Sequence, residues 1–121
     1  MANQISVTAV IAAVTNASSA QIQQQLQGQF AMAGNLVSSG IANIGTSDTQ
    51  IPIAALGGGT IGWIALKNLD ATNYVTFGAD GSHYPIQMNA GEFCAARWNG
   101  AAVHGIANTA GVNVQYYIFE T

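Results

Sequence analysis

The side chains in this sequence that could do chemistry are soon named: His83 and His104, Cys94, the carboxylates Asp48, Asp70, Asp80, Glu92 and Glu120, and the cations Lys67 and Arg97. Asp80-Gly81-Ser82-His83 crowds an acid, a hydroxyl and an imidazole into one loop. Hydrolytic use of such a set needs members converging from a scaffold, a nucleophile on a strained turn and an oxyanion hole. Loop neighbours do not converge in that way, so the segment reads as a solvated loop. His104 falls in a strand-like run beside Gly105, and a zinc site would need further ligands on the same face. It is expected to be a packed or interface histidine. Asp70, Asn73 and Asp80 could offer oxygens to calcium, but their spacing matches no EF-hand loop, and Asx residues closing turns through their own side chains account for them equally well. A lone cysteine gives no disulfide, redox or zinc motif, and Cys94 is expected as a small buried apolar residue. No cofactor, no metal and no catalytic residue is expected, so the chain reads as a non-enzyme.

Composition points the same way. Of 121 residues, 50% are hydrophobic and only 6% charged, against roughly 25% charged in an ordinary soluble domain. Asn, Gln, Ser and Thr fill the deficit. Uncharged polar surface is less costly to desolvate than charged surface, which suits subunit contacts. Two separate cations and a net charge of −3 cannot supply the Lys/Arg cluster that a nucleic-acid backbone requires, so direct nucleic-acid binding is not expected. No run reaches the roughly 20 apolar residues of a membrane helix, and no Lys or Arg precedes the apolar stretch Val7 to Val14, so neither a membrane span nor a secretory signal is expected. Trp63, Trp98, Tyr74, Tyr84, Tyr116 and Tyr117 could stack on sugars, but aromatics on strands more often fill a core or a subunit contact.

The elements that would position these residues are short and β-rich. Ile5 to Thr15 reads as one strand with a bend near Ala12, followed by a turn at Asn16 to Ser19. Gln21 to Met32 fits a helix through Ile22, Leu26 and Phe30. It also fits period two, with Ile22, Leu26, Phe30 and Met32 on one face and Gln23, Gln25, Gln27 and Gln29 on the other. Gly28 disfavours the helix, and the strand-like neighbours decide for a strand. Leu36 to Ile44 reads as two strand pieces broken at Ser39-Gly40. Thr49 to Ile53 and Tyr84 to Met88 each carry a proline and read as edge pieces. Leu56 to Gly59 reads as a flexible joint. Thr60 to Leu66, Tyr74 to Phe77, Glu92 to Trp98, Val103 to Ala107 and Val112 to Phe119 are strands, and Asn99-Gly100 predicts a type I′ hairpin between the third and fourth of these. Nine or ten short strands with closely spaced turns predict an all-β protein, a sandwich or barrel in a single domain over residues 1–121.

Three segments carry a resemblance. Gly62-Trp63-Ile64-Ala65-Leu66-Lys67-Asn68-Leu69-Asp70-Ala71-Thr72-Asn73-Tyr74-Val75, Met88-Asn89-Ala90-Gly91-Glu92-Phe93 and Ala107-Asn108-Thr109-Ala110 resemble stretches of small structural proteins of tailed bacteriophages. Ala90 stands where such turns usually place proline, which should loosen the turn without changing its role. The resemblance implies a jelly-roll-like antiparallel β-sandwich in the virion, assembled in the host cytoplasm, with no catalytic residues. It implies a capsid decoration (cement) protein that bridges major capsid subunits as a homo-oligomer, a trimer first. The alternatives are a neck, tail or fibre-attachment protein, or a carbohydrate-binding module. The residues expected to meet the capsid or other virion proteins are Ala2, Asn3, Gln4 and Ile5 and the loops around Asp48, Asp70 and Asp80.

Overall fold

The computed structural model describes residues 3–14 and 21–121. Ala2 and the expected turn at residues 16–19 lie outside them. The chain separates into two compact units, Met1–Met32 and Ala33–Thr121.

The first unit is a two-stranded antiparallel ribbon, β1 (Asn3–Val14) against β2 (Gln21–Met32). The strand reading of β2 holds. The ladder runs from Asn3↔Met32 to Val14↔Gln21 without a register shift, so β1 is one strand as expected. Side chains alternate across a strand, and this register puts Ile5, Val7, Ala9 and Ile11 on the same face as Leu26, Phe30 and Met32. Gln23, Gln25, Gln27 and Gln29 share the other face with Ser6, Thr8 and Val10. The Phe30 ring lies over Gly28, where an added Cβ would sit 2.8 Å from its Cζ. None of the ribbon side chains described is buried.

The second unit is a β-sandwich. Its strands are β3 (Val37–Ile44), β4 (Thr49–Gln50), β5 (Ile61–Asn68), β6 (Val75–Gly78), β7 (Ile86–Met88), β8 (Phe93–Arg97), β9 (His104–Ala107) and β10 (Val112–Glu120). They form two four-stranded antiparallel sheets, β3-β10-β5-β8 and β4-β9-β6-β7. Every chain connection but β6–β7 passes from one sheet to the other, so the first and last strands pair and the others nest inside them. That order is a jelly roll. The core between the sheets combines Ile44, Ile64, Leu66, Val112, Val114, Tyr116 and Ile118 from one sheet with Val75, Phe77, Met88 and Ala107 from the other. Among the described residues there is no α-helix.

Three local expectations are corrected. β3 is one unbroken strand whose Gly40 sits opposite Tyr116. A Cβ there would stand 3.2 Å from the Tyr116 hydroxyl, so the glycine makes room for a core ring and does not end a strand. The joint expected at residues 56–59 begins on the last residue of a 3₁₀ turn, Ala54–Leu56, with Leu56 buried in the core and Gly57 capping the turn. Asn99-Gly100 makes no hairpin, for β8 and β9 belong to opposite sheets. No non-glycine residue described has positive φ, which a type I′ turn would demand of Asn99. The chain crosses between layers there, tied by the Trp98 indole N–H donating to the Ala102 carbonyl at 2.9 Å. Val103, fully buried, accepts a bond from the Ile51 N–H at 2.9 Å. Burying Val103 in the second layer outweighs the local turn preference.

Candidate interaction surface

The loops around Asp48 and Asp80 are brought together, and Asp70 stands apart from them. Asp48 precedes the short β4. Its carboxylate accepts from the Tyr84 hydroxyl at 2.7 Å and stands 2.9 Å from His104 Nδ1. The Tyr84 hydroxyl also lies 3.0 Å from the Gly81 carbonyl, which ties the Asp80 loop to Asp48. The Tyr84 hydrogen bond, and then that of His104, hold the Asp48 carboxyl below the usual carboxylate range. Reciprocally, the bond to Asp48 pushes the Tyr84 phenol up to about 12. His104 is only 13% exposed at its side chain, so the packed-histidine reading holds. Its acidic partner lies too far away in sequence for any spacing rule to find.

Asp80 Oδ1 accepts from the backbone N–H groups of Ser82 at 2.7 Å and His83 at 2.9 Å, and lies 3.2 Å from the His83 ring nitrogen. His83 and Asp80 do touch, but on the open surface, with the His83 side chain 83% exposed. The Ser82 N–H bond, and then the contact with the His83 side chain, hold the Asp80 carboxyl below the usual range. Asp70 Oδ1 accepts from the N–H groups of Thr72 at 2.8 Å and Asn73 at 2.7 Å. The Asn73 bond leads in holding its carboxyl down. Both aspartates are turn-closing Asx residues. The Asp70 loop is clamped further by Asn68, a fully buried amide. Asn68 donates to the carbonyls of Asn73 (2.9 Å) and Met88 (3.1 Å) and accepts from the Asp70 N–H (2.8 Å). Among the described residues no group of His, Cys, Asp and Glu could hold a metal ion.

Trp98 packs against the core with its indole N–H used internally. Cys94, half-buried against the core, has its thiol pKa raised by burial. Glu92 and Arg97 do not pair. Glu92 accepts from the Asn89 N–H and Arg97 donates to Thr121.

The surface that sequence reasoning missed is the outer face of the β3-β10-β5-β8 sheet. Cross-strand pairing sets Val37 beside Phe119 and Phe119 beside Trp63, then Ile41 beside Gln115, Gln115 beside Lys67 and Lys67 beside Phe93. Phe93 is 75% exposed, Ile41 64%, Tyr117 43% and Val37 41%. An open groove of about 200 Å³ lies among Lys67, Phe93, Cys94 and Tyr117. The solvated face of an antiparallel sheet is normally polar. A signal was present in the sequence: Trp63-Ile64-Ala65-Leu66 and Tyr116-Tyr117-Ile118-Phe119 are apolar at both parities, a pattern that belongs to strands covered on both sides. The expected contact residues Asn3, Gln4 and Ile5 begin β1 of the ribbon.

The sandwich is therefore a jelly roll whose β3-β10-β5-β8 outer face sets exposed apolar side chains among Ser39, Asn43, Asn113, Gln115, Lys67 and Arg97. No protein-family model, no curated protein and no solved structure matches the chain.

Proposed function

We propose that this chain is a non-enzymatic structural protein of a tailed-bacteriophage virion that decorates the head and bridges major capsid subunits as a homo-oligomer, a trimer first. The observation that carries the assembly role is the exposed apolar face holding Val37, Ile41, Phe93 and Tyr117. Exposed apolar area of this kind marks a protein contact, and the aromatic residues on it are of the type that anchors interfaces. The assignment to a virion rests on the resemblance of residues 62–75, 88–93 and 107–110. Weak contacts repeated over a shell would act together by multivalency.

The test is to image phage particles carrying a label fused at Thr121. Label spread over the whole shell supports decoration. Label confined to one vertex or to the tail moves the protein to the neck or tail, and unlabelled particles remove it from the virion. In a reconstituted system, Phe93→Asp and Ile41→Asp together should abolish binding to shells while leaving the far-ultraviolet spectrum unchanged.

A further inference from the structure

We propose that the ribbon of β1 and β2 is a self-association arm that joins, edge to edge and with its apolar face turned inward, to the same ribbon in other copies of this chain. The proposal deepens the assembly reading and shares with it only the need for more than one copy.

The ribbon has no core of its own. Ile11 is 56% exposed and Leu26 64% exposed on one face, and a lone two-stranded ribbon is marginal in water. A sheet with an apolar face needs a second layer. The occupant follows from charge and length. No Asp, Glu, Lys, Arg or His occurs in residues 1–32. Such a surface offers a foreign partner no charge by which to be selected, and identical copies meet on it with no Coulomb penalty. Each strand is 12 residues long with an unshifted ladder. Each has one strand neighbour among the described residues, leaving an outer edge without proline, charge or bulge, the devices that block edge pairing. The outer edge of β2 in one copy and of β1 in the next are matched in length by construction.

Area sets how the copies meet. Strands of this length are about 40 Å long, and a pair is about 10 Å wide, giving a face of roughly 400 Å². A standard interface takes about 800 Å² per partner. The face supplies about half of that, so the contact must use the edges as well. Once joined, the Gln23, Gln25, Gln27 and Gln29 face meets water. A lipid surface is the poorer occupant, because Gln24 shares the apolar face, opposite Ile11.

Sedimentation of the full chain, with amide exchange read along it, decides the matter. The wild type should be oligomeric with slow exchange in both ribbon strands. Ile11→Asp with Leu26→Asp should weaken association at least about a hundredfold, since each buries an unpaired charge. Ribbon exchange should become fast, while Val112–Glu120 stays slow and so reports an intact sandwich. Gln27→Lys, on the other face, should leave the oligomer in place. A monomeric wild type, an oligomer that survives both aspartates, or association seen only with phosphatidylcholine vesicles overturns the proposal. A monomer that still labels phage shells would sink this inference and the homo-oligomer part of the virion reading while leaving decoration of the shell standing, and an oligomer absent from every particle would remove the virion reading and leave this inference.

Discussion

The ribbon and the sandwich are built from the same strand alphabet and meet opposite fates. In the sandwich, period-two apolar faces find a second layer, and every fully buried hydrophobic side chain among the described residues lies there, with Phe77, Val75, Ile44 and Ile118 at 0% exposure. In the ribbon the same alternation comes with no buried side chain among those described, and Leu26 is 64% exposed. Their edges differ as well. The sheet β4-β9-β6-β7 ends in strands of two and three residues, with Pro52 and Pro85 close by, and β8 ends on Arg97. These features blunt lateral pairing at three of the four sandwich edges. The fourth, β3, runs 8 residues without charge or proline but carries Gly40, and an interior glycine weakens a strand. The ribbon edges run 12 residues without a charge or a proline. All seven charged residues of the chain, from Asp48 to Glu120, belong to the sandwich. Alternation alone therefore specifies a face and not a core. Whether that face is filled depends on a second layer in the same chain.

The largest expected effect tests this contrast directly. Phe77→Ala empties the centre of the sandwich and should cost about 3–5 kcal/mol of unfolding free energy, the range for large-to-small core changes. Leu26→Ala should move the unfolding of the sandwich by no more than about 0.5 kcal/mol, as an exposed substitution does. Chemical denaturation followed by tryptophan fluorescence reads both, since Trp63 and Trp98 lie in the sandwich. Equal losses from the two variants would erase the distinction. Next in size is Asn68→Ala. It removes an amide that satisfies the Asn73 and Met88 carbonyls and the Asp70 N–H, and should cost roughly 1–3 kcal/mol for the buried groups left unmet. A neutral result would mean that water enters and replaces the amide, and that the sandwich is less closed than its burial implies.

These residues also show what the sequence could and could not tell. The strand alternation of Gln21 to Met32, the edge positions marked by Pro52 and Pro85, and the Asx turns at Asp70 and Asp80 were legible because each depends on neighbours within a few residues. Asn99-Gly100 misled because the layer that claims Val103 is supplied by Ile51, half the chain away. Gly40 misled because its reason is the Tyr116 ring on another strand. The Asp48–Tyr84–His104 cluster was hidden for the same cause, joining residues 36 and 56 positions apart. The apolar outer face of β3-β10-β5-β8 was half legible. Its both-sided strands were visible, but which parity turned outward depended on the register.

A smaller effect sharpens the contrast from the side of turn chemistry. The Glu92 N–H donates to the Asn89 carbonyl at 3.0 Å, and Gly91 has φ of 78°. Since no non-glycine residue described has positive φ, Ala90 and Gly91 form the centre of a type II turn. Proline is favoured at the first of those positions, so Ala90→Pro should stabilise the sandwich by about 0.4–1 kcal/mol, mainly by restricting the unfolded chain. A thermal melt checks it. A destabilised variant would show that the turn is strained in a way the hydrogen bond does not reveal.

The smallest effect concerns the charges that only the sandwich carries. Hydrogen bonds in the fold lower the pKa of Asp48, Asp70 and Asp80. A carboxylate whose pKa falls on folding stabilises the fold above its unfolded value, near 3.9, and that contribution is lost as pH drops through the folded value. The melting temperature should therefore fall on acidification below about pH 4, and less so in Asp70→Asn, which has no carboxylate there to protonate. Tyr84 has the opposite sign. Its phenol is raised from 10.0 to about 12 by the bond to Asp48, so the neutral form is favoured by folding. Its contribution is complete below the unfolded value and disappears as pH rises through about 12. Near-ultraviolet titration of tyrosinate should show Tyr84 titrating late, and Asp48→Asn should return it towards 10.0. If Tyr84 titrates near 10.0 in the wild type, the Asp48 clasp that joins the two loops is not closed in solution.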